Sequence, residues 1–220
     1  MLKFFMKEKL TVHKALSELK ILNDRIQREI DDIQFVLINK HSNQKINGAP
    51  VKEYMEQTKE KYQSVTTLIN RRNAIKRAVT RSNAVTTVDI NGTEYTVAEA
   101  IDMKAVGVNH LRQLLQRMEY QFKQAQNQAE RENGDRLDNR ADDYMRSLYQ
   151  NTDLKNMTDE LKKVRENFIT AQTVEILDPV KVTDEITKLR DKIDAFMSEV
   201  DSALSVSNAL TTVEVEYETV

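Results

Sequence analysis

From Val12 onward the apolar residues fall seven apart, at Val12, Leu19, Ile26 and Ile33. Ala15, Leu22 and Val36 fill the intervening +3 positions, and Leu16, Ile30 and Leu37 widen the stripe. This spacing predicts an amphipathic helix with a coiled-coil-like seam, running from an N-cap at Thr11 to about Lys40. His41-Ser42-Asn43 and Asn47-Gly48 break it, and residues 44–51 read as a small hairpin or a loop. Pro50 sits near the first position of a second helix. The seam of that helix is Val51, Tyr54, Met55, Tyr62, Val65, Leu68, Ile69, Ile75 and Val79. Residues 11–81 are therefore expected to form a helical hairpin, closed by Asn83 in the left-handed conformation that Asn tolerates.

The period then changes from helical to alternating. Thr86, Val88 and Ile90 alternate with Thr87 and Asp89, Asn91-Gly92 is a type I′ turn signal, and Tyr95 and Val97 lie on the return strand. This predicts a β-hairpin over residues 85–97. Thr96-Val97-Ala98-Glu99 has the form of a capping box and opens a long helix over 98–150, with core positions Leu111, Leu115, Met118, Phe122, Ala125 and Ala129. Gly107 and Asn133-Gly134 interrupt that helix. Between Gln124 and Asp143 its face is almost entirely polar, so that stretch is expected to project into solvent or to contact another subunit. Asn151-Thr152-Asp153 is a turn. A helical pair follows over 157–207, its members separated by an extended run, Val174 to Asp178, before Pro179. The second member starts near Thr183, and its seam is Val182, Ile186, Leu189, Ile193, Phe196, Val200 and Leu204. The tail, residues 210–217, alternates Val213, Val215 and Tyr217 with Glu214 and Glu216, and so reads as a strand with one apolar and one acidic face.

One phrase occurs twice. Ser82-Asn83-Ala84-Val85-Thr86-Thr87-Val88 returns as Ser207-Asn208-Ala209-Leu210-Thr211-Thr212-Val213, each time at a helix-to-strand junction. Such a recurrence places two helix ends at equivalent sites, at the same pole of the molecule. The expected fold is mainly α: a single elongated domain, an antiparallel bundle of coiled-coil-like hairpins. A small sheet at one pole is made by the hairpin 85–97 and the C-terminal strand 210–217 paired with it. Residues 1–10 are expected to be an N-terminal tail in which Phe4 and Phe5 dock on a surface.

Composition agrees with long helices: 31% of residues are charged and 40% hydrophobic, with only four Gly and two Pro. A net charge of −2 supplies no global field to recruit nucleic acid or an anionic membrane. The absence of Cys excludes disulfides, thiolate catalysis and Cys-ligated zinc. No apolar run reaches the ~18 residues that span a bilayer, and the first residues carry no cleavage-site pattern, so no signal peptide is read. Cytoplasmic synthesis follows as the default. Met1 and Met6 are both open as the natural start.

Candidate chemistry is sparse. His13, His41 and His110 are scattered, without a His-x-x-x-His or Glu-x-x-His pair, so no metal site is expected. Asp31-Asp32 and Asp142-Asp143 are neighbours on helices and point to different faces. There is no Gly-rich phosphate loop and no Gly-x-Ser-x-Gly turn. No enzyme, catalytic residue or cofactor is expected. The one charge anomaly is Arg71, Arg72, Lys76, Arg77 and Arg81, with no acid between Leu68 and Thr86. This band reads either as a phosphate or acidic-partner surface or as cations paired within the bundle near a helix C-terminus. Arg72 falls on the seam itself. The seams are ordinary Leu/Ile/Val stripes, so core packing is favoured over insertion into a membrane.

Two resemblances bear on function. Leu68-Ile69-Asn70-Arg71-Arg72-Asn73-Ala74-Ile75-Lys76-Arg77-Ala78-Val79, with the Ser82 to Val88 phrase and Thr96-Val97-Ala98-Glu99-Ala100-Ile101, resembles a group of helical proteins from phages and prophages of Gram-positive bacteria. The opening Leu10 to Lys20 fits the same group. The central part is similar, more loosely, to the septicolysin-like family of small bacterial helical hairpins. The first resemblance implies an origin, a phage particle gene or its neighbour, in the virion or the host cytoplasm. The second suggests a lytic, pore-forming protein, although the shared residues are junction residues. The function expected is a non-enzymatic virion structural or assembly protein with other virion proteins, or itself, as partners. The hairpin and tail residues Val88, Ile90, Tyr95, Val213, Val215 and Tyr217 are its candidate contacts. The alternatives are a septicolysin-like membrane-active protein and a nucleic-acid-binding protein that uses the 71–81 basic band.

Overall fold

Thr11 ends one element and starts the next. In the computed structural model, which describes residues 4–149 and 157–219, strand β1 (Phe4–Thr11) runs directly into helix α1 (Val12–Asp31). The Thr11 hydroxyl accepts from the Lys14 N–H at 3.2 Å, the N-cap that the sequence predicts. Residues 4–10, expected as a tail, are thus a strand. The helix stops well short of Lys40. Asp31 and Asp32 place two carboxylates at its C-terminus, where the dipole is already negative, and β-branched Ile33, Val36 and Ile38 gain little from continuing. Residues 33–44 leave the helix, and Val36 and Ile38 are fully open to solvent. Strands β2 (Lys45–Ile46) and β3 (Ala49–Pro50) then form the small hairpin, with Asn47 and Gly48 at φ 51° and 86°. Pro50 precedes α2 (Val51–Val85). Helices α1 and α2 pack antiparallel: Glu18 meets Arg71, whereas the Tyr54 hydroxyl near the start of α2 donates to the Gln34 carbonyl just past the end of α1.

The hairpin is β4 (Thr87–Ile90) and β5 (Thr93–Thr96), with Asn91 and Gly92 at φ 52° and 74° as a type I′ turn requires. It leads into α3 (Val97–Asp102). The capping box is complete: the Thr96 N–H donates to Glu99 Oε2 at 2.7 Å, and the Glu99 N–H donates to Thr96 Oγ1 at 3.2 Å. The bond from the Thr96 N–H first, and one from the Thr96 hydroxyl to Glu99 Oε2 at 2.9 Å second, hold the Glu99 carboxyl below the usual glutamate range. A depressed folded-state pKa contributes stability above the unfolded value, and that contribution is lost as pH falls through the folded one. Melting temperatures of the wild type and Glu99→Gln are expected to differ at neutral pH and to converge as pH falls below the usual glutamate range. A gap that stays constant on acidification would contradict this.

After α3 the helix continues through a π-helical turn (Met103–Gly107) into α4 (Val108–Asn133). Gly107 therefore widens the helix rather than breaking it. Gly134 does break it, and α5 (Asp135–Leu148) follows. Residues 124–143, expected as an almost entirely polar stretch to project into solvent or to contact another subunit, instead pack within the chain in their α5 part. Leu137, Ala141 and Met145, four apart, are buried along a narrow stripe, and α5 packs on α4 and on α6 (Asp159–Gln172). Arg165 bridges Asp138 and Asp142 at 2.9 Å each, and Tyr144 stacks on Phe168 with ring centroids 4.4 Å apart. The turn expected at 151–153 lies outside the described residues. Helix α7 (Val182–Leu210) and strand β6 (Thr212–Thr219) complete the chain. By contact density the chain clusters into two compact units, residues 107–194 and the remainder, residues 1–106 with 195–220.

The described residues are mainly α-helical with small antiparallel sheets, as expected, but the strand pairing differs. The tail strand does not join the hairpin. It pairs antiparallel with β1, in the register Leu10↔Val213, Glu8↔Val215 and Met6↔Tyr217. Lys7 and Lys9 lie opposite Glu216 and Glu214, so a basic strand face meets the acidic one. Leu10, Val213, Val215 and Tyr217 close the core that Val12, Ala15, Leu19 and Leu22 of α1 form with Ala74, Ile75 and Val79 of α2.

The repeated phrase does mark equivalent junctions. The Thr86 N–H donates to the Ser82 carbonyl and the Thr211 N–H to the Ser207 carbonyl, each at 2.8 Å. The two threonine carbonyls in turn accept from Val97 and Val12, the first residues of α3 and α1, at 2.8 and 2.9 Å. Val85 and Leu210, the last helical residues, are 78% and 77% exposed. Both helices run straight into strands, so Asn83 stays helical and the left-handed closure expected there is not used. The equivalence extends to the returning strands. Thr11-Val12-His13-Lys14-Ala15-Leu16 matches Thr96-Val97-Ala98-Glu99-Ala100-Ile101, with Val12, Ala15, Val97 and Ala100 all buried. The β1–β6 pair is therefore an unlinked counterpart of the β4–β5 hairpin.

Candidate functional site

Both junctions border one groove of about 1000 Å³ in the first unit. Ala74, Arg77, Ala78, Arg81, Ser82 and Val85 supply the α2 wall, at the i, i+3/i+4 spacing of one helix face. Residues 7–9 of β1 and 212–216 of β6 supply the other wall. Thr86 and Thr211 lie between them, and Phe5 contributes an apolar ring.

The basic band divides along α2. Arg71 turns inward. Its guanidinium contacts Glu18 at 2.6 Å, Glu8 at 3.1 Å and the Tyr217 hydroxyl at 3.2 Å, and it lies 5.5 Å over the Tyr217 ring. Burial acts to lower the Arg71 pKa, but Glu18, Tyr217 and Glu8 outweigh it and hold the group above its ordinary value. The cluster is not fully satisfied, since Glu8 Oε1 and Arg71 Nε are buried without hydrogen-bond partners among the described residues. Arg72, placed on the seam by its spacing, is half-buried and donates to Asn23 Oδ1 at 3.0 Å and Asn73 Oδ1 at 3.2 Å. Lys76, Arg77 and Arg81 are exposed and have no side-chain partner among the described residues. Arg77 and Arg81 line the groove, and Lys76 does not.

The strand residues singled out as contacts are placed differently. Val88, Ile90, Val213, Val215 and Tyr217 are buried, and Tyr95 packs edge-on against Phe196 with centroids 5.7 Å apart. Their side chains build the core, and what the strands leave open is backbone edge. Sequence reasoning missed the groove because part of its wall comes from β1, which was expected to be a tail. The available signal was the Lys7-Glu8-Lys9 face matched against Glu214-Val215-Glu216.

Among the described residues no three His, Asp or Glu side chains converge as metal ligands, and no helix is long and apolar enough to cross a membrane. The groove sets two guanidinium groups, unpaired among the described residues, beside apolar surface and strand residues. No protein-family model, curated protein or solved structure matches the chain, so its own geometry carries the reading.

Proposed function

We propose that this chain is a non-enzymatic structural or assembly protein of a phage particle and works through protein–protein contacts. The observation that carries this reading is the state of the strands. Each described strand has a single strand neighbour among the described residues, so its other edge carries no second strand and is a place where one could add. Exposed Phe5, Val85 and Leu210 border these strands and suit contact with protein better than with water. The phage assignment rests on the resemblance of the 68–101 segment. Mass spectrometry of gradient-purified particles is expected to find the chain at a fixed ratio to the major capsid protein, or on assembly intermediates. Absence from both would overturn the proposal.

A second reading, nucleic-acid binding, is favoured by the exposure of Lys76, Arg77 and Arg81. It expects a gel shift at low salt that neutralising these three residues abolishes. No shift at low salt would end that reading.

A further inference from the structure

Arg77 and Arg81 stand one turn apart on the groove wall. Of the other charges there, Glu8 is committed to Arg71 and Lys7 to Glu216, at 3.1 and 3.4 Å. This leaves Lys9, Arg77 and Arg81 against Glu214 alone, a cationic excess. Five consecutive residues of β6, 212–216, line the opposite side, so that wall is strand backbone as well as side chain. Beyond β1, β6 has no strand neighbour among the described residues. A groove with these walls fits an extended segment that brings apolar side chains and a carboxylate.

The chain itself displays such a segment. Residues 173–178 connect α6 to α7 and belong to no helix or strand. Both ends are pinned. The Asn133 side-chain amide accepts from the Val174 N–H at 2.8 Å and donates to the Val174 carbonyl at 2.7 Å. The Asp178 carboxylate accepts from the Val182 N–H, with both oxygens at 2.9 Å. Between these anchors Glu175, Ile176 and Leu177 are exposed, Leu177 at 80%, and make no backbone hydrogen bond among the described residues. Glu175 has no ion-pair partner among them either.

We propose that the Glu175-Ile176-Leu177 segment of one copy docks in the groove between α2 and the β1–β6 pair of a second copy, with the Glu175 carboxylate against Arg77 and Arg81. The inference rests on the structural-protein reading and supplies its partner, the chain itself. Three extended residues span about 10 Å, so residues 175–177 fit within the length of the five-residue β6 wall. Leu177 and Ile176 bring apolar surface to a groove that contains Phe5, Ala78 and Val85. The two surfaces differ, so the contact is head-to-tail and each added copy presents a fresh groove or a fresh segment.

Sedimentation velocity over a concentration series tests this. The wild type is expected to gain mass with concentration. Arg77→Gln/Arg81→Gln and, separately, Glu175→Lys/Leu177→Asp are each expected to weaken association about tenfold or more. An equal mixture of the two variants is expected to form dimers and nothing larger, because one intact groove meets one intact segment. Melting curves check that both variants are folded, and Glu175→Lys alone serves if the double change unfolds the chain. A wild type that is monomeric at every concentration overturns the proposal. So does association that neither variant weakens, or loss in both without recovery on mixing. A monomer still found in purified particles would overturn self-docking and leave the structural-protein reading standing.

Discussion

Deleting residues 211–220 is expected to unfold the first unit. The deletion removes Val213, Val215 and Tyr217, all buried, from the core they share with α1 and α2. At about 2 kcal/mol for each buried side chain the loss is roughly 6 kcal/mol, comparable to the whole stability of many domains. The partner deletion separates this structure from the pairing expected from sequence. Removing residues 1–10 takes away β1 and is expected to cost about as much, because β1 and β6 are each other's only described strand neighbours. Were the tail paired with the 87–96 hairpin, residues 1–10 would be dispensable. Circular-dichroism melts of the two truncations decide the matter, and a wild-type melt for the first-ten deletion would contradict the β1–β6 register.

The second large effect is expected at Arg71. Arg71→Ala leaves Glu8 and Glu18, whose side chains are 27% and 20% exposed, facing each other's neighbourhood without a counter-charge. The expected cost is about 2–3 kcal/mol, less than for a fully buried pair because water still reaches the group. Arg77→Ala and Arg81→Ala, on the same helix, are expected to stay within about 0.5 kcal/mol of wild type. Urea denaturation midpoints distinguish the three. Because Arg71 Nε and Glu8 Oε1 are left unpartnered, replacing all three charged residues by apolar ones of similar size is expected to cost less than Arg71→Ala alone. A triple variant less stable than Arg71→Ala would show that the ion cluster stabilises the fold in its own right.

Where one local period decided an element, the sequence was legible. The Thr11 cap, the Asn91-Gly92 turn, the Thr96 capping box and the helix ending before Thr211 all rest on residues within a few positions of one another. What was not legible depended on residues far apart. The inward face of β1 carries Glu8 where alternation calls for an apolar residue, and that carboxylate is explained only by Arg71, far along the chain. The stripe Leu137, Ala141, Met145 is narrow and flanked by charges, several of which are paired to α6. At the groove, Arg77 and Arg81 were visible as part of a basic run. Their separation from Arg71 was not, because it follows from which side of α2 meets β1 and β6. The second recurring phrase, Thr-Val-x-x-Ala, was present in the sequence, but its copies follow strands of different length, only one of which showed a recognisable alternation.

The pairing of β1 with β6 also sets the order in which the molecule can be finished. Leu10, Val12, Ala15 and Leu19 leave the ribosome long before Val213, Val215 and Tyr217 of the strand that covers them. The α1–α2 hairpin can form from local contacts, but its apolar face stays uncovered until β6 has been made. A ribosome stalled before Thr212 would therefore hold a chain whose helices are formed and whose oldest core residues are still in water.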